Sequence, residues 1–245
     1  MKINLKHPSI QKISQLTIDD VIGKSLTISQ FCGRINKTAD KIAEIKENVI
    51  NPFYTPIYNE KEISIYQSKS KVPPMSGFSV SNKFKGDIFE LFTEFLIKMS
   101  PIDERIDVFD YQIVTEDDTG VDGWGYNKNE EIVTVQIKYR MWDWELTSIG
   151  EHLDNFRWTS YKKYGIKPED TGRMLIVTTG KEIHWKTLDR YFSGKVRCIS
   201  NGSSYGCVGA IGTINNIFSL QTIANNNKMF WKSFKGCVDK EKEKE

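Results

Sequence analysis

Residues 131–139, EIVTVQIKY, constrain the fold more than any other stretch of this chain. Side chains alternate between the two faces of an extended strand. Val133, Val135 and Ile137 therefore share one face, and Thr134, Gln136 and Lys138 share the other. The first set has to be covered by other apolar groups, while the second presents an amide and an ammonium on the same side. A second strand-like run, residues 120–126 (GVDGWGY), precedes it, and Asn127-Lys128-Asn129 between them predicts a hairpin turn. Folding about that turn brings Asp122 roughly opposite Gln136. A carboxylate, an amide oxygen and an ammonium then converge at one end of the hairpin.

The neighbouring segments supply the rest of an α/β arrangement. In residues 84–98, Phe84, Ile88, Leu91, Phe92, Phe95 and Leu96 fall on one helical face, and Ser100-Pro101 stops the helix. Residues 105–114 (RIDVFDYQIV) read as a strand. Ser148 and Glu151 form a capping box opening a helix with Ile149, Leu153, Phe156 and Trp158 inward. Residues 173–179 (RMLIVTT) suit a buried central strand. A helix with Leu188 and Phe192 and a strand at 196–200 follow. The order α-β-β-β-α-β-α-β predicts a mixed sheet flanked by helices.

Residues 1–80 read as an N-terminal helical or extended addition. Residues 16–22 and Ile28–Ile50 carry helical apolar spacings, with Ile35, Ala39, Ile42 and Ile45 stepping by three or four. The stretch NPFYTPIYNEKEISIYQSKSKVPPMSG reads as a linker ending near Gly77. Both a small helical subdomain and arms wrapping the main domain fit this pattern. The main domain is expected over 81–238, and residues 239–245 (DKEKEKE) as a charged, solvated tail.

Several function classes are excluded by what the chain lacks. No apolar run approaches the roughly 18–20 residues of a membrane span, and MKINLKHPSIQK has no secretory core, so a cytoplasmic setting without membrane partners is expected. Cys32, Cys198, Cys207 and Cys237 contain no CxxC pair, which argues against a disulfide framework or a cysteine zinc site. His152 and His184 stand without partners at metal-ligand spacing, and no GxxxxGK[ST] loop occurs. Net charge is +2, yet residues 81–140 hold 7 basic and 13 acidic side chains between two mildly basic flanks. Such an acidic centre is either a solvated face or a carboxylate cation site between surfaces that tolerate a polyanion.

The stretch GDIFELFTEFL…TEDDTGVDGWG…VTVQIKYR resembles the Mrr-like branch of the PD-(D/E)xK restriction-endonuclease-like nucleases. That branch shows G-x-x-F-E on the first core helix, G-[IV]-D in the second strand and Q-x-K in the third. The matching residues are Gly86 to Glu90, Gly120-Val121-Asp122 and Gln136-Ile137-Lys138, and RMLIVTT resembles the strand that closes the same core. The resemblance covers about residues 84–200. Related domains occur in restriction enzymes and phage helicases, which implies a bacterial cell or phage-infected host. It implies a restriction-endonuclease-like core and a Mg²⁺-dependent DNA endonuclease, with Mn²⁺ able to substitute. Its implied metal ligands are Glu90, Asp122, Gln136 and the Ile137 carbonyl, with Lys138 stabilising charge at phosphorus. Glu94 is the substitute for Glu90 on helical geometry. Duplex cleavage by this fold often takes two active sites, which implies a homodimer.

DNA contacts are expected from Arg140, directly after the strand, and from Arg157, Lys162 and Lys163. These last three lie in RWTSYKKY, where basic and aromatic side chains interleave. The same pattern also fits an amphipathic helix end with Lys stems lying over rings. A reading of another class remains beside the nuclease: a catalytically silent member of the fold that binds DNA or a partner protein.

Overall fold

A computed structural model describes residues 3–17, 26–50, 77–115, 120–139, 150–180, 196–200, 217–220, 224 and 229–244. A short 3-10 helix, Ile10–Gln15, is followed by α1 (Ile28–Ile50) and α2 (Gly77–Met99). Strands β1 (Phe109–Ile113), β2 (Gly123–Tyr126) and β3 (Ile132–Lys138) come next, then α3 (Gly150–Tyr164). The chain continues with β4 (Met174–Thr178), β5 (Arg197–Ser200), β6 (Ile217–Ser219) and α4 (Phe230–Lys242).

The six strands form one sheet in chain order, β1 to β6. β1, β2 and β3 pair antiparallel, whereas β4, β5 and β6 each add in parallel. The switch of direction falls at β3, which pairs antiparallel with β2 and parallel with β4. This is the α/β mixed sheet flanked by helices that the hydrophobic periodicities predict.

Alternation along β3 and β4 sorts the core into two layers. Val133, Val135, Ile137, Leu175 and Val177 share a cluster with Phe31 and Ile35 of α1, Phe92 and Phe95 of α2, and Phe234 of α4. Met174, Ile176 and Cys198 instead pack with Val121 and with Leu153 and Phe156 of α3. Helices α1, α2 and α4 thus cover one face and α3 the other. Leu5, Ile13 and Leu16 belong to the same cluster as α2 and the sheet. The first ring layer is dense: Phe92 lies within 6 Å of Phe31, Phe230, Trp231 and Phe234 by ring centroids. Such pairs add about 0.5–1.5 kcal/mol each beyond area burial.

Where the structure departs from the expected elements, local chemistry gives the reason. α2 begins at Gly77, where the proline-containing stretch ends, and runs one turn and more ahead of Phe84. β1 is shorter than 105–114, because Asp107 and Asp110 adopt left-handed φ values of 41° and 50° and the pairing with β2 is irregular between Phe109 and Gln112. Trp158 points outward and is 60% exposed, whereas Leu153 and Phe156 are buried. The DKEKEKE stretch is not all solvated tail: α4 runs through Lys242, Glu241 is buried, and Lys244 Nζ lies 2.6 Å from its Oε1. β6 and α4 lie beyond the α-β-β-β-α-β-α-β order read from the sequence, although Phe230, Trp231, Phe234 and Val238 form a helical apolar face legible there.

The linker at 51–76, the acidic Glu116-Asp117-Asp118, and Arg140, Trp142, Trp144 and Ser148 lie outside the described residues. So do His184, Leu188 and Phe192.

Candidate active site

The β2–β3 register decides the geometry. Gly123 pairs with Val135 and Trp124 with Thr134, and Asp122 N–H donates to the Val135 carbonyl at 2.9 Å. One further step along both chains brings Asp122 to Gln136. The turn that sets this register is built by Asn127, whose side-chain oxygen accepts the N–H groups of Asn129 and Glu131. Glu130, at φ 62°, completes it.

Asp122 Oδ2 accepts the N–H of Ile137 at 2.5 Å and stands 4.0 Å from Lys138 Nζ. Burial pushes the Asp122 carboxyl up to about 6, against the lowering pull of Lys138 and of the Ile137 N–H, and the negative Glu90 adds to the rise. Gln136 is fully buried on the α3 face of β3, two residues beyond Thr134, which hydrogen-bonds Ser160 of α3 at 2.8 Å. The end of β3 is fixed by Thr178 and Thr179 of the β4 side, since the Thr178 hydroxyl and the Thr179 N–H both donate to the Lys138 carbonyl. Thus Asp122, Gln136 and Lys138 gather where β3 leaves β2 and joins β4.

α2 brings the helix carboxylates. Glu90 is half-buried, and its Oε2 lies 2.7 Å from His7 Nε2. Glu94 is fully buried and committed elsewhere: Oε1 accepts Lys6 N–H at 2.7 Å and Lys98 Nζ at 2.5 Å, and Oε2 accepts His7 N–H at 3.2 Å. Asp87 is paired with Lys12 and Lys83. Of the three, Glu90 is the carboxylate whose charge reaches Asp122. Glu94, the substitute for Glu90, is engaged by the backbone of Lys6 and His7 and by Lys98 of its own helix.

Two residues at the site carry no sequence motif. Tyr111 of β1 is buried, and its hydroxyl has no hydrogen-bond partner among the described residues. Burial first, then the charges of Asp122, Glu94 and Glu90, push its phenol well above the ordinary range. It reaches across β2 so closely that a Cβ on Gly123 would stand 2.1 Å from the hydroxyl. His7 is the other, and its partner lies 83 residues away in sequence.

The donor chemistry fits a hard divalent cation. Asp122 and Glu90 supply carboxylate oxygens and Gln136 an amide oxygen, the ligand types that Mg²⁺ takes. A largely buried carboxylate held at an elevated pKa and a buried phenol with no partner among the described residues both favour an added cation with its water. No three His, Cys, Asp or Glu side chains gather as a ready-made centre among the described residues.

On α3, Arg157 is partly buried, while Lys162 and Lys163 are exposed. Lys162 Nζ lies 4.6 Å from the Trp158 ring centroid and 5.6 Å from that of Tyr161, and Tyr161 is 42% exposed. The interleaved segment therefore presents rings and an ammonium outward together.

No helix among the described residues is long and apolar enough to cross a membrane. Comparison with known family models, with curated proteins and with solved structures finds no match to this chain.

Proposed function

We propose that this chain is a Mg²⁺-dependent DNA endonuclease with a restriction-endonuclease-like core of the Mrr-like kind. The observation that carries the reading is the β2–β3 register, which sets Asp122 beside Gln136 with Lys138 Nζ 4.0 Å from its carboxylate. Asp122 and Glu90 would hold the ion, with the Gln136 side-chain oxygen and the Ile137 carbonyl completing its shell. When bound, the ion supplies Lewis acidity and a water of lowered pKa. Lys138 places a positive charge where a phosphoryl oxygen gains negative charge. Arg157, Lys162, Lys163 and Arg140 would hold the DNA backbone, and Mn²⁺ would substitute for Mg²⁺. Two copies would serve the two strands of a duplex.

One observation favours a second reading, a catalytically silent fold that binds DNA or a protein. Glu90 is already hydrogen-bonded to His7, as in a site organised without a cation. Incubation of supercoiled, linear, branched and single-stranded DNA with Mg²⁺, Mn²⁺ or EDTA separates the two. EDTA-sensitive cleavage supports the nuclease. DNA retention with neither cleavage nor calorimetric binding of Mn²⁺ supports the silent protein.

A further inference from the structure

We propose that His7, delivered by the N-terminal segment, is a positioning residue that holds Glu90 in the orientation a divalent cation requires. The inference rests on the metal-dependent reading of the site and assigns a role to residues that the motif leaves unexplained.

The imidazole is fixed at both nitrogens. Nδ1 accepts the N–H of Ser9 at 3.1 Å, so the ring proton sits on Nε2, which donates to Glu90 Oε2 at 2.7 Å. The His7 side chain is 9% exposed, and its own N–H is held by Glu94. Ser9 is followed at once by the 3-10 helix Ile10–Gln15, whose Lys12 pairs with Asp87, one helical turn before Glu90. Lys98 closes the other end by donating to the Asn4 carbonyl. Four consecutive turns of α2 therefore grip residues 4–12, and the single side chain of that segment aimed at Glu90 is a hydrogen-bond donor of set direction.

A carboxylate that spends one Oε2 lone pair on this hydrogen bond presents Oε1 most freely to a cation. Fixing it that way removes the rotamer freedom of a half-exposed glutamate. Ligands steered by an outer hydrogen bond commonly lose 10–100-fold in metal affinity when that partner is removed. His7 is accordingly expected to act on affinity chiefly through Glu90. A purely structural role, tethering residues 4–12, would change stability and leave affinity alone.

The test is calorimetric titration of the full chain with Mn²⁺ at one fixed pH, alongside thermal melts. Wild type, Asp122→Asn, His7→Leu, His7→Gln, Glu90→Gln and the His7→Leu/Glu90→Gln double variant are compared. We expect His7→Leu to weaken Mn²⁺ by about tenfold or more. His7→Gln, which places an amide N–H where Nε2 stood, should stay near wild type. In the Glu90→Gln background, His7→Leu should add no further loss. Unchanged affinity in His7→Leu with a lowered melt overturns the inference and leaves the metal site standing. An equal loss in His7→Gln and His7→Leu overturns it as well. Absence of Mn²⁺ binding in wild type sinks the nuclease reading and this inference together. Should His7→Leu not fold, long-range ¹⁵N spectra of wild-type His7 decide: a proton on Nε2, with broadening by sub-stoichiometric Mn²⁺ that Asp122→Asn abolishes, supports it. A proton on Nδ1 overturns it.

Discussion

Asp122 Oδ2 is hydrogen-bonded to the Ile137 N–H, in the peptide group that joins Gln136 to Ile137, one residue before Lys138. The carboxylate is thereby tied to the backbone of the strand that carries the other two groups. Its position does not depend on a flexible side-chain partner. Lys138 at 4.0 Å is near enough to offset part of the buried charge but too far for a direct hydrogen bond. The lysine is thus left able to turn toward a third party.

Removal of either group should stop cleavage without unfolding the chain. Asp122→Asn is expected to abolish Mn²⁺ binding, and Lys138→Ala to leave binding intact while lowering the rate by about 10²–10³. Circular dichroism establishes the fold, and single-turnover cleavage of plasmid DNA gives the rate. A folded variant of either kind that cuts at the parental rate would refute the assignment.

The metal-free protein should lose stability as pH rises from about 4 to about 6. The folded-state pKa of Asp122 is raised from 3.8 to about 6, so the folded state binds more protons than the unfolded chain within that window. Stability on this account is greatest below the unfolded value and is lost through the folded one, on the order of 3 kcal/mol in full, of which the interval from pH 5 to pH 7 spans roughly 1 kcal/mol. Urea titrations in EDTA at pH 5 and pH 7 measure it. Asp122→Asn should flatten this component and be the more stable protein at pH 7. Saturating Mn²⁺ should reverse the trend in wild type.

Gln136→Glu restores a third acid but places it at a fully buried position. Without metal the variant should melt lower than wild type, because a charge is buried beside Asp122. With Mn²⁺ its melting temperature should rise by more than that of wild type. Paired thermal scans with and without the ion read both shifts, and a smaller rise in the variant would place residue 136 away from the cation.

Glu130 adopts φ 62° in the β2–β3 turn. A left-handed conformation costs an L-residue roughly 1–2 kcal/mol that glycine avoids, partly offset by the greater freedom of glycine when unfolded. Glu130→Gly should therefore stabilise by about 0.5–1 kcal/mol without touching the site. Gly120→Ala should act the other way, since φ is +93° there and a Cβ would meet Phe156 N at 2.8 Å. Chemical denaturation of both variants gives the signs.

Loss of Arg157, Lys162 and Lys163 together should weaken binding to every DNA sequence alike. Each lost phosphate contact should reduce the log–log salt slope by about 0.9 on duplex. Single-turnover cleavage at saturating DNA should change little. An unaltered slope would return the segment to the role its ring contacts already suggest, with Lys162 covering Trp158 and Tyr161.

Period-two and period-three-to-four patterns made the sheet and α2 legible, because the apolar faces of β3 and α2 meet directly. The approach of Asp122 to Gln136 was also readable, since a hairpin register follows from its turn. What could not be read was the choice between Glu90 and Glu94. Helical spacing puts Glu90 on the polar side and Glu94 closer to the boundary while the motif points to Glu90, and the difference lies in which one meets the backbone of Lys6 and His7. Those contacts join residues more than 80 positions apart, and no local pattern encodes them. The same holds for Tyr111, which reads as an ordinary strand aromatic until Gly123 is seen to leave it room.

The 3-10 helix Ile10–Gln15 also packs against α4, so residues near the two ends of the sequence share one layer over α2. A ribosome releases the first of these long before the last. During synthesis, residues 10–15 have no α4 to lean on until that helix has left the exit tunnel. The firm seating of the strap that carries His7 therefore waits for α4, and a nascent chain stalled before residue 230 would carry Asp122, Gln136 and Lys138 without it.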